Sequence, residues 1–254
     1  MVVAAAPPDG GPTVTALLTL ERVSKRFRGL VAVDGVSFDV PEGALFAVIG
    51  PNGAGKTTLF NMIAGSMAPD AGTISFAGAP IGGLTPDAVC RRGLARTFQL
   101  VRPFPALSVE DNVIVGALLR RHDVAAAREH AHALLRRLDL FDKRLKLAAT
   151  LTLPDRKRLE VARALATEPR LLLLDEVMAG LRPTETDRMV ATLRALNRES
   201  GLTILLIEHV MRAVMALASR VMVVDHGTMI AQGAPEIVVR DPAVVQSYLG
   251  AETE

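Results

Sequence analysis

A glycine-rich segment at residues 50–57, Gly-Pro-Asn-Gly-Ala-Gly-Lys-Thr, constrains the fold of this chain more than any other feature. An apolar run typical of a buried strand, Leu45–Ile49, precedes it, and a pattern typical of a helix, 57–64, follows it. Glycines let the backbone approach a bound group without Cβ clashes, and the N–H groups of a helix start attract anions. The order of strand, GxxxxGK[ST] loop and helix predicts a cradle for nucleotide phosphates.

The residues of this loop have distinct expected roles. Lys56 is expected to reach the β and γ phosphates, and the Thr57 hydroxyl is expected to bind Mg²⁺. The segment predicted to bind the nucleotide comprises Gly50, Pro51, Asn52, Gly53, Ala54, Gly55, Lys56, Thr57 and Thr58.

A second motif follows a run of four leucines at 171–174, which ends in Asp175 and Glu176. Asp175 is predicted to hold Mg²⁺ through water, and Glu176 to act as the general base for an attacking water. The alternative is a core strand whose acidic end is merely solvated. The phosphate loop upstream in the same chain favours the catalytic interpretation.

Composition places the chain among ordinary globular proteins. Half of its 254 residues are apolar and 22% are charged, which suits one large domain or two small ones. A net charge of +2 does not indicate nucleic-acid binding. The single cysteine, Cys90, excludes an intrachain disulfide framework and a cysteine-based zinc site. The longest segment without Asp, Glu, Lys or Arg, 71–86, is too short for a membrane-spanning helix of about 20 residues.

Alternating strand and helix patterns predict an α/β fold. Continuous apolar runs are typical of parallel strands that are covered on both faces, and the amphipathic runs near the N-terminus predict a small antiparallel layer. A segment helical throughout, 108–145, predicts an inserted helical subdomain at about 100–168. Residues 1–15 are expected to be a flexible tail before one domain at 16–250. The predicted parallel strands are 45–49, 171–174, 203–207 and 221–224, the helices 57–64, 184–198 and 210–218, and the antiparallel strands 17–21, 32–40 and 73–76.

Together these motifs resemble the nucleotide-binding subunits of ATP-binding cassette (ABC) transporters, and the resemblance extends over about 17–249. It implies a P-loop NTPase fold with a RecA-like parallel-sheet core, and ATP with Mg²⁺ as cofactors. Gln99 resembles the family's Q-loop glutamine, which contacts Mg²⁺ or the attacking water. His209 resembles the switch histidine at the γ-phosphate, and Phe27 the aromatic residue that stacks on adenine. A surface amide, a structural histidine and a core aromatic residue are the respective alternatives.

The segment aligned with the family signature departs from its usual Leu-Ser-Gly-Gly-Gln sequence. Leu153 adds bulk where the family's backbone approaches phosphate, and Pro154 has no N–H to donate. Asp155 adds a negative charge, which Arg156 and Lys157 are expected to offset in part. The aligned residues are Leu151, Thr152, Leu153, Pro154 and Asp155.

The partners follow from the resemblance and from this departure. In ABC dimers each ATP lies between the phosphate loop of one subunit and the signature of the other. A chain with a complete phosphate-loop half and an altered signature favours a heterodimer with a second ATPase subunit. The resemblance also implies two integral membrane permease subunits, an indirect link to a periplasmic substrate-binding protein, and a peripheral position on the cytoplasmic face of the inner membrane.

Local sequences resemble the ATPases of branched-chain amino-acid importers in particular. They lie at 96–112, at 205–211 and in the C-terminal stretch 233–250. Leucine, isoleucine and valine are therefore the expected cargo, although related importers carry amides, urea or other amino acids. The ATPase does not touch the cargo, so this expectation is an analogy. Residues 100–112, with Phe104, are expected to contact a permease; a surface loop is the alternative.

Other functions remain as alternatives. A soluble ABC ATPase of the iron–sulfur assembly type would share the nucleotide motifs without coupling to transport. A GTPase typically needs an Asn-Lys-x-Asp element, which the sequence lacks. Basic residues such as Arg136 and Lys143 alternate with apolar and acidic ones, which predicts a solvated helix face and no nucleic-acid partner.

Overall fold

The computed structural model describes residues 16–98 and 102–250. The predicted tail at 1–15 and Gln99 lie outside these residues. The described strands are β1 (Ala16–Phe27), β2 (Leu30–Pro41), β3 (Leu45–Ile49), β4 (Ala71–Phe76), β5 (Ala79–Pro80), β6 (Leu94–Arg96), β7 (Leu171–Asp175), β8 (Thr203–Ile207), β9 (Arg220–Asp225) and β10 (Thr228–Gly233). The described α-helices are α1 (Lys56–Ile63), α2 (Pro86–Arg91), α3 (Val109–Ala117), α4 (Val124–Arg137), α5 (Leu153–Leu165), α6 (Pro183–Ser200), α7 (Met211–Leu217), α8 (Pro235–Val238) and α9 (Pro242–Gly250).

The central sheet has six strands in the order β10-β9-β3-β8-β7-β6. All its pairings are parallel except that of β10 with β9. The registers of β3, β7 and β8 bring their carboxyl ends to one edge, where Asp175 lies opposite Ile207. Loops that follow parallel strands meet at such an edge, so the phosphate loop, Glu176 and His209 share one end of the sheet.

A four-stranded antiparallel sheet, in the order β2-β1-β4-β5, forms the second layer. Its inward residues pack with α1 and with one face of the central sheet, and Phe38 of β2 stacks on Phe46 of β3 with ring centroids 5.6 Å apart. Helices α3 to α7 pack on the opposite face of the central sheet. The central strands are therefore covered on both sides, which explains their continuous apolar sequences. The predicted parallel core and antiparallel layer are confirmed.

Helices α3, α4 and α5 form the helical block, but the predicted uninterrupted helicity over 108–145 is wrong. The Ser108 hydroxyl accepts from the Asp111 N–H and caps α3, and the Asp123 carboxylate accepts from the Ala126 N–H and caps α4. Each cap begins a separate helix, because it satisfies N–H groups that have no partner within the helix. A left-handed residue, Asp139 with φ 54°, follows α4. Short 3₁₀ turns at Phe141–Lys143 and Ala148–Thr150 complete the block.

The described part of the chain contains no helix with the length and apolar character that crossing a membrane requires.

Candidate functional site

The phosphate loop closely approaches the backbone on both of its sides, at two glycines. A Cβ on Gly50, whose φ is 146°, would lie 1.9 Å from the carbonyl oxygen of Val224. A Cβ on Gly55, whose φ is 102°, would lie 2.2 Å from the carbonyl oxygen of Ala32. Both positions therefore require glycine, because the clashing atoms belong to main chain that cannot swing away. The loop is fixed between β9 and β2.

Lys56 begins α1, and its side chain turns into the loop. It is buried, and its ammonium donates to the carbonyl oxygens of Gly50 at 2.8 Å and Pro51 at 2.6 Å. Burial lowers the pKa of Lys56, while the nearby Glu176 and Asp175 carboxylates act to raise it. One cation thus lies inside the loop with two acids close by, as a triphosphate site requires.

A groove of about 400 Å³ runs along the outside of the loop. It is lined by residues 52–58 and by Phe27, Leu30, Val31, Ala32, Glu176 and His226. Phe27 lies at the end of β1 with 41% of its surface exposed, so a ring face is available to a base. The groove brings together the predicted phosphate loop, Phe27 and Glu176, and it adds His226, which the sequence analysis did not assign.

Asp175 ends β7 with almost no exposure to solvent. Its Oδ2 accepts from the Arg96 guanidinium at 2.7 Å, and its N–H donates to the Thr97 hydroxyl at 3.2 Å. Its Oδ1 is buried and has no hydrogen-bond partner among the residues that the structure describes. A buried oxygen of this kind suits a ligand or a bound water of Mg²⁺, which prefers oxygen donors and keeps several waters. With the Thr57 hydroxyl, the donor set fits the predicted ion.

Glu176 follows directly, in a left-handed conformation with φ 50°. The Nδ1 of His209 lies 3.8 Å from its Oε1. The His209 side chain is 57% exposed and that of Glu176 is 19% exposed, so both face the end of the sheet from which a nucleotide would approach. The structure therefore brings two of the three predicted catalytic side chains together, although 32 positions of sequence lie between them.

Behind Glu176 lies a buried charged pair that the sequence analysis did not assign to the site. Lys157 of α5 donates to the carbonyl oxygen of Glu176 at 2.8 Å, and Oε1 of Glu208 accepts from the Met178 N–H at 2.8 Å. Burial raises the pKa of Glu208 to about 7, with a further contribution from the charge of Glu176, while the Met178 N–H and Lys157 oppose the shift. In the sequence, only their neighbours could have pointed to these two residues as part of the site: Lys157 follows the signature, and Glu208 directly precedes His209.

The raised pKa of Glu208 predicts a pH-dependent stability difference. Between its ordinary pKa of 4.5 and the folded value of about 7, the folded chain holds a proton that the unfolded chain has released. Folding stability therefore falls as the pH rises through this range, by on the order of 3 kcal/mol at pH 8. The side chain of Glu208→Gln cannot ionise. The free energy of unfolding of this variant, measured by urea titration, should therefore increase relative to that of the wild type as the pH rises from 5 to 8.

The exposed Glu236→Gln is the matched control for the loss of a carboxylate at the surface. A Glu208→Gln difference that stays constant from pH 5 to pH 8 would contradict the prediction.

The altered signature begins α5, with Thr152 as N-cap and Pro154 in the first turn. Asp155 is buried and accepts from Lys143, from Arg158 at 2.7 Å and from the Thr152 hydroxyl at 2.9 Å. Burial alone raises the pKa of Asp155, but these hydrogen bonds and charges outweigh it and hold the pKa below its ordinary value.

The prediction that Arg156 and Lys157 offset the charge of Asp155 is therefore wrong, because Lys143 and Arg158 do so within the subunit. Leu153 is 38% exposed and packs near Gly180, which lies in the loop between β7 and α6. Leu151 is buried. The signature thus presents the side chains of Leu153 and Pro154 at the start of α5. The charge of the buried Asp155 is neutralised by Lys143 and Arg158 of the same subunit.

One predicted site residue, Gln99, lies outside the described residues, and its role stays a prediction. The described residues also contain no cluster of three or more His, Cys, Asp and Glu side chains that would hold a metal by themselves.

Comparison with known proteins gives consistent matches. The model of the family described as ABC transporter matches residues 33–179, and that of the family described as branched-chain amino acid ATP-binding cassette transporter matches residues 228–254. The high-affinity branched-chain amino acid transport ATP-binding protein BraF of Pseudomonas aeruginosa is 38% identical over 249 residues, which cover 92% of this chain and 98% of BraF. The corresponding protein LivG of Escherichia coli is 37% identical with the same coverage.

Solved structures share the fold of this chain. The ADP conformation of an ATP-binding cassette of an ABC transporter superposes with a TM-score of 0.84 at 30% identity, and the match covers 93% of this chain and 99% of that one.

Proposed function

Because the chain belongs to the ABC transporter ATP-binding family, we propose that it is the ATP-hydrolysing subunit of an importer for branched-chain amino acids or related amino acids and amides. The observation that carries the ATPase function is the meeting of the phosphate loop, Asp175, Glu176 and His209 at one edge of one sheet. The branched-chain cargo rests on the C-terminal match at 228–254 and on the transport function named for BraF and LivG.

The proposed chemistry assigns each group of this chain one task. The phosphate-loop N–H groups and Lys56 bind the β and γ phosphates, while Thr57 and Asp175 would hold Mg²⁺, which would neutralise phosphate charge. Glu176 accepts a proton from the water whose oxygen attacks the γ-phosphorus. The bond between that phosphorus and the β–γ bridging oxygen breaks, and the electron pair leaves with ADP. His209, beside Glu176, contacts the γ-phosphate.

The family and the altered signature also indicate the partner subunits of this chain. Membership of the family implies permease subunits in the membrane, and we assign the chain a peripheral position on the cytoplasmic face. The altered signature supports a second, different ATPase subunit, because Pro154 offers no N–H and Leu153 covers the approach to the start of α5. This chain then supplies a complete phosphate-loop half-site, and its partner supplies the opposing signature. A periplasmic substrate-binding protein completes the importer.

Reconstitution tests the whole proposal. The complex of this chain with its second ATPase and permeases should hydrolyse ATP and accumulate labelled leucine in proteoliposomes, whereas the purified chain alone should hydrolyse ATP far more slowly. Competition by unlabelled isoleucine and valine, compared with amides and urea, identifies the cargo. Equal hydrolysis by the chain alone would contradict the heterodimer, and exclusion of leucine would contradict the cargo.

Coupling to the permease is assigned to a groove of about 280 Å³ between the helical block and the central sheet. Phe104 lines it with 44% of its surface exposed, and the Arg163 guanidinium lies 4.9 Å from its ring centroid. The Asn112 side chain holds both main-chain polar groups of Phe104, at 2.8 and 3.0 Å. An exposed aromatic residue on a fixed backbone is a good anchor for a partner helix.

Phe104→Ala is therefore expected to lower leucine uptake about tenfold while basal ATP hydrolysis changes less than about twofold, since anchors of this kind contribute 1–2 kcal/mol or more. Uptake and hydrolysis are measured on the same proteoliposomes. Val124→Ala, on another exposed apolar residue of the helical block, is the control. Equal losses of both activities would remove the coupling assignment.

The soluble iron–sulfur assembly ATPase is not favoured. The relatives that match most of the chain are named as transport proteins, and the exposed aromatic residue at the groove suits a membrane partner. Purification of the chain with integral membrane subunits would discriminate between the two.

A further inference from the structure

The backbone of Glu176 is held in a conformation that few residues with a Cβ adopt. Its φ of 50° lies in the left-handed region, and such a conformation persists only where the surroundings determine it. The next residue, Val177, is buried, so the segment is not a free loop. Because the direction of the Glu176 side chain follows from this backbone, whatever fixes the backbone also aims the carboxylate.

Two groups from other elements fix the main chain of Glu176. Its N–H donates to the carbonyl oxygen of Ile207 at the end of β8, at 3.0 Å. Its carbonyl oxygen accepts from the ammonium of Lys157, at 2.8 Å, and from the Ala179 N–H of its own turn at the longer distance of 3.2 Å. The second contact comes from a side chain on α5, and that side chain is 19 positions away in sequence.

Glu208 fixes the chain just beyond this point. Its carboxylate accepts from the Met178 N–H, two residues after Glu176. Only 4% of Lys157 and 1% of Glu208 is exposed, and their opposite charges attract. Removing two charges from water is costly, and an apolar pair of similar volume would often be at least as stable. Each side chain instead places a hydrogen bond on the main chain beside the general base, which indicates a specific role.

We propose that Lys157 is a positioning residue for ATP hydrolysis: it holds the carbonyl of Glu176 so that the carboxylate faces the attacking water, and Glu208 holds the Met178 N–H two residues further on. The proposal rests on the function proposed above, because it assumes that Glu176 is the general base. Lys157 lies two residues after the signature on α5, so the same helix carries the signature and the support of Glu176.

Kinetics of the assembled complex test the role of Lys157. Lys157→Met removes the donor but keeps an unbranched apolar side chain that is only one heavy atom shorter. It is expected to lower kcat about 10²-fold with less than about a threefold change in the KM for ATP, since a misplacement of about 1 Å costs this much in rate. Lys157→Arg retains a donor and should recover kcat to within about fivefold of the wild type. The exposed Lys146→Met is the matched control and should behave as the wild type does.

A double variant separates positioning from charge balance and guards against misfolding. Lys157→Met with Glu208→Gln removes both buried ionisable groups, so no buried carboxylate is left beside the missing ammonium. Its kcat should remain low, because the contact to Glu176 is still missing. Recovery of kcat in the double variant would overturn the proposal, as would an unchanged kcat in Lys157→Met or equal changes in kcat and KM. A wild-type complex that hydrolyses no ATP would instead refute the proposed function itself.

Discussion

Glu176→Gln is expected to lower kcat for ATP hydrolysis in the assembled complex by about 10²–10⁴-fold, the usual contribution of a general base. Glutamine keeps the shape of the side chain and the main-chain contacts to Ile207 and Lys157, but it cannot accept the proton of the attacking water. ATP should still bind, because the phosphate loop and Lys56 are unchanged. Phosphate release measures the rate, and filter binding of labelled ATP measures occupancy.

Three results make this test specific. The exposed Glu129→Gln, on the outer face of α4, should hydrolyse ATP as the wild type does. Transport should fall in proportion to hydrolysis, since uptake depends on the same step. An unchanged hydrolysis rate with Glu176→Gln would show that another group accepts the proton.

Lys56→Ala is expected to weaken ATP binding by about 10- to 100-fold, which corresponds to the loss of a charge-assisted hydrogen bond of 1.5–3 kcal/mol. Lys56 is the cation inside the loop, and its ammonium lies within 2.8 Å of the carbonyl oxygens of Gly50 and Pro51. The variant removes both the charge that the phosphates require and a link that closes the loop. Calorimetric titration of the folded chain with Mg-ATP measures the change in Kd.

Thermal unfolding of the same samples shows whether the chain is intact. Lys146→Ala removes an exposed lysine from the helical block and should bind ATP with the wild-type Kd. Equal affinity of Lys56→Ala and the wild type would contradict the assignment of the phosphate loop.

Much of the site is local in sequence, and that part was predictable. The phosphate loop is contiguous, and a glycine-rich turn between a strand and a helix has few other uses. Asp175 and Glu176 end an apolar strand, so their place at the carboxyl edge follows from the parallel sheet. His209 follows another such strand. Because the strands are parallel, these residues meet at the same edge of the sheet, and this could be predicted from the sequence.

The contacts that support the site were not predictable from the same patterns. Arg96 meets Asp175, and Lys157 meets the carbonyl of Glu176, only because β6 lies beside β7 and α5 packs against the sheet. The sequence analysis assigned Arg156 and Lys157 to offset Asp155, but the turn of α5 directs Lys143 and Arg158 to that carboxylate. The breaks in the helical block were missed because a single capping side chain, such as Asp123, decides them.

The sequence by itself determined the phosphate-loop cassette fold and the place of Glu176 and His209 at the carboxyl edge of its sheet, because those groups lie in contiguous segments at the ends of recognisable strands. The tertiary structure alone decided that the acid of the signature is neutralised within the subunit and that a lysine of the same helix hydrogen-bonds to the main chain of Glu176. Those outcomes depend on which side chains a helix turns toward its neighbours, and that direction is set by packing over long sequence distances rather than by local pattern.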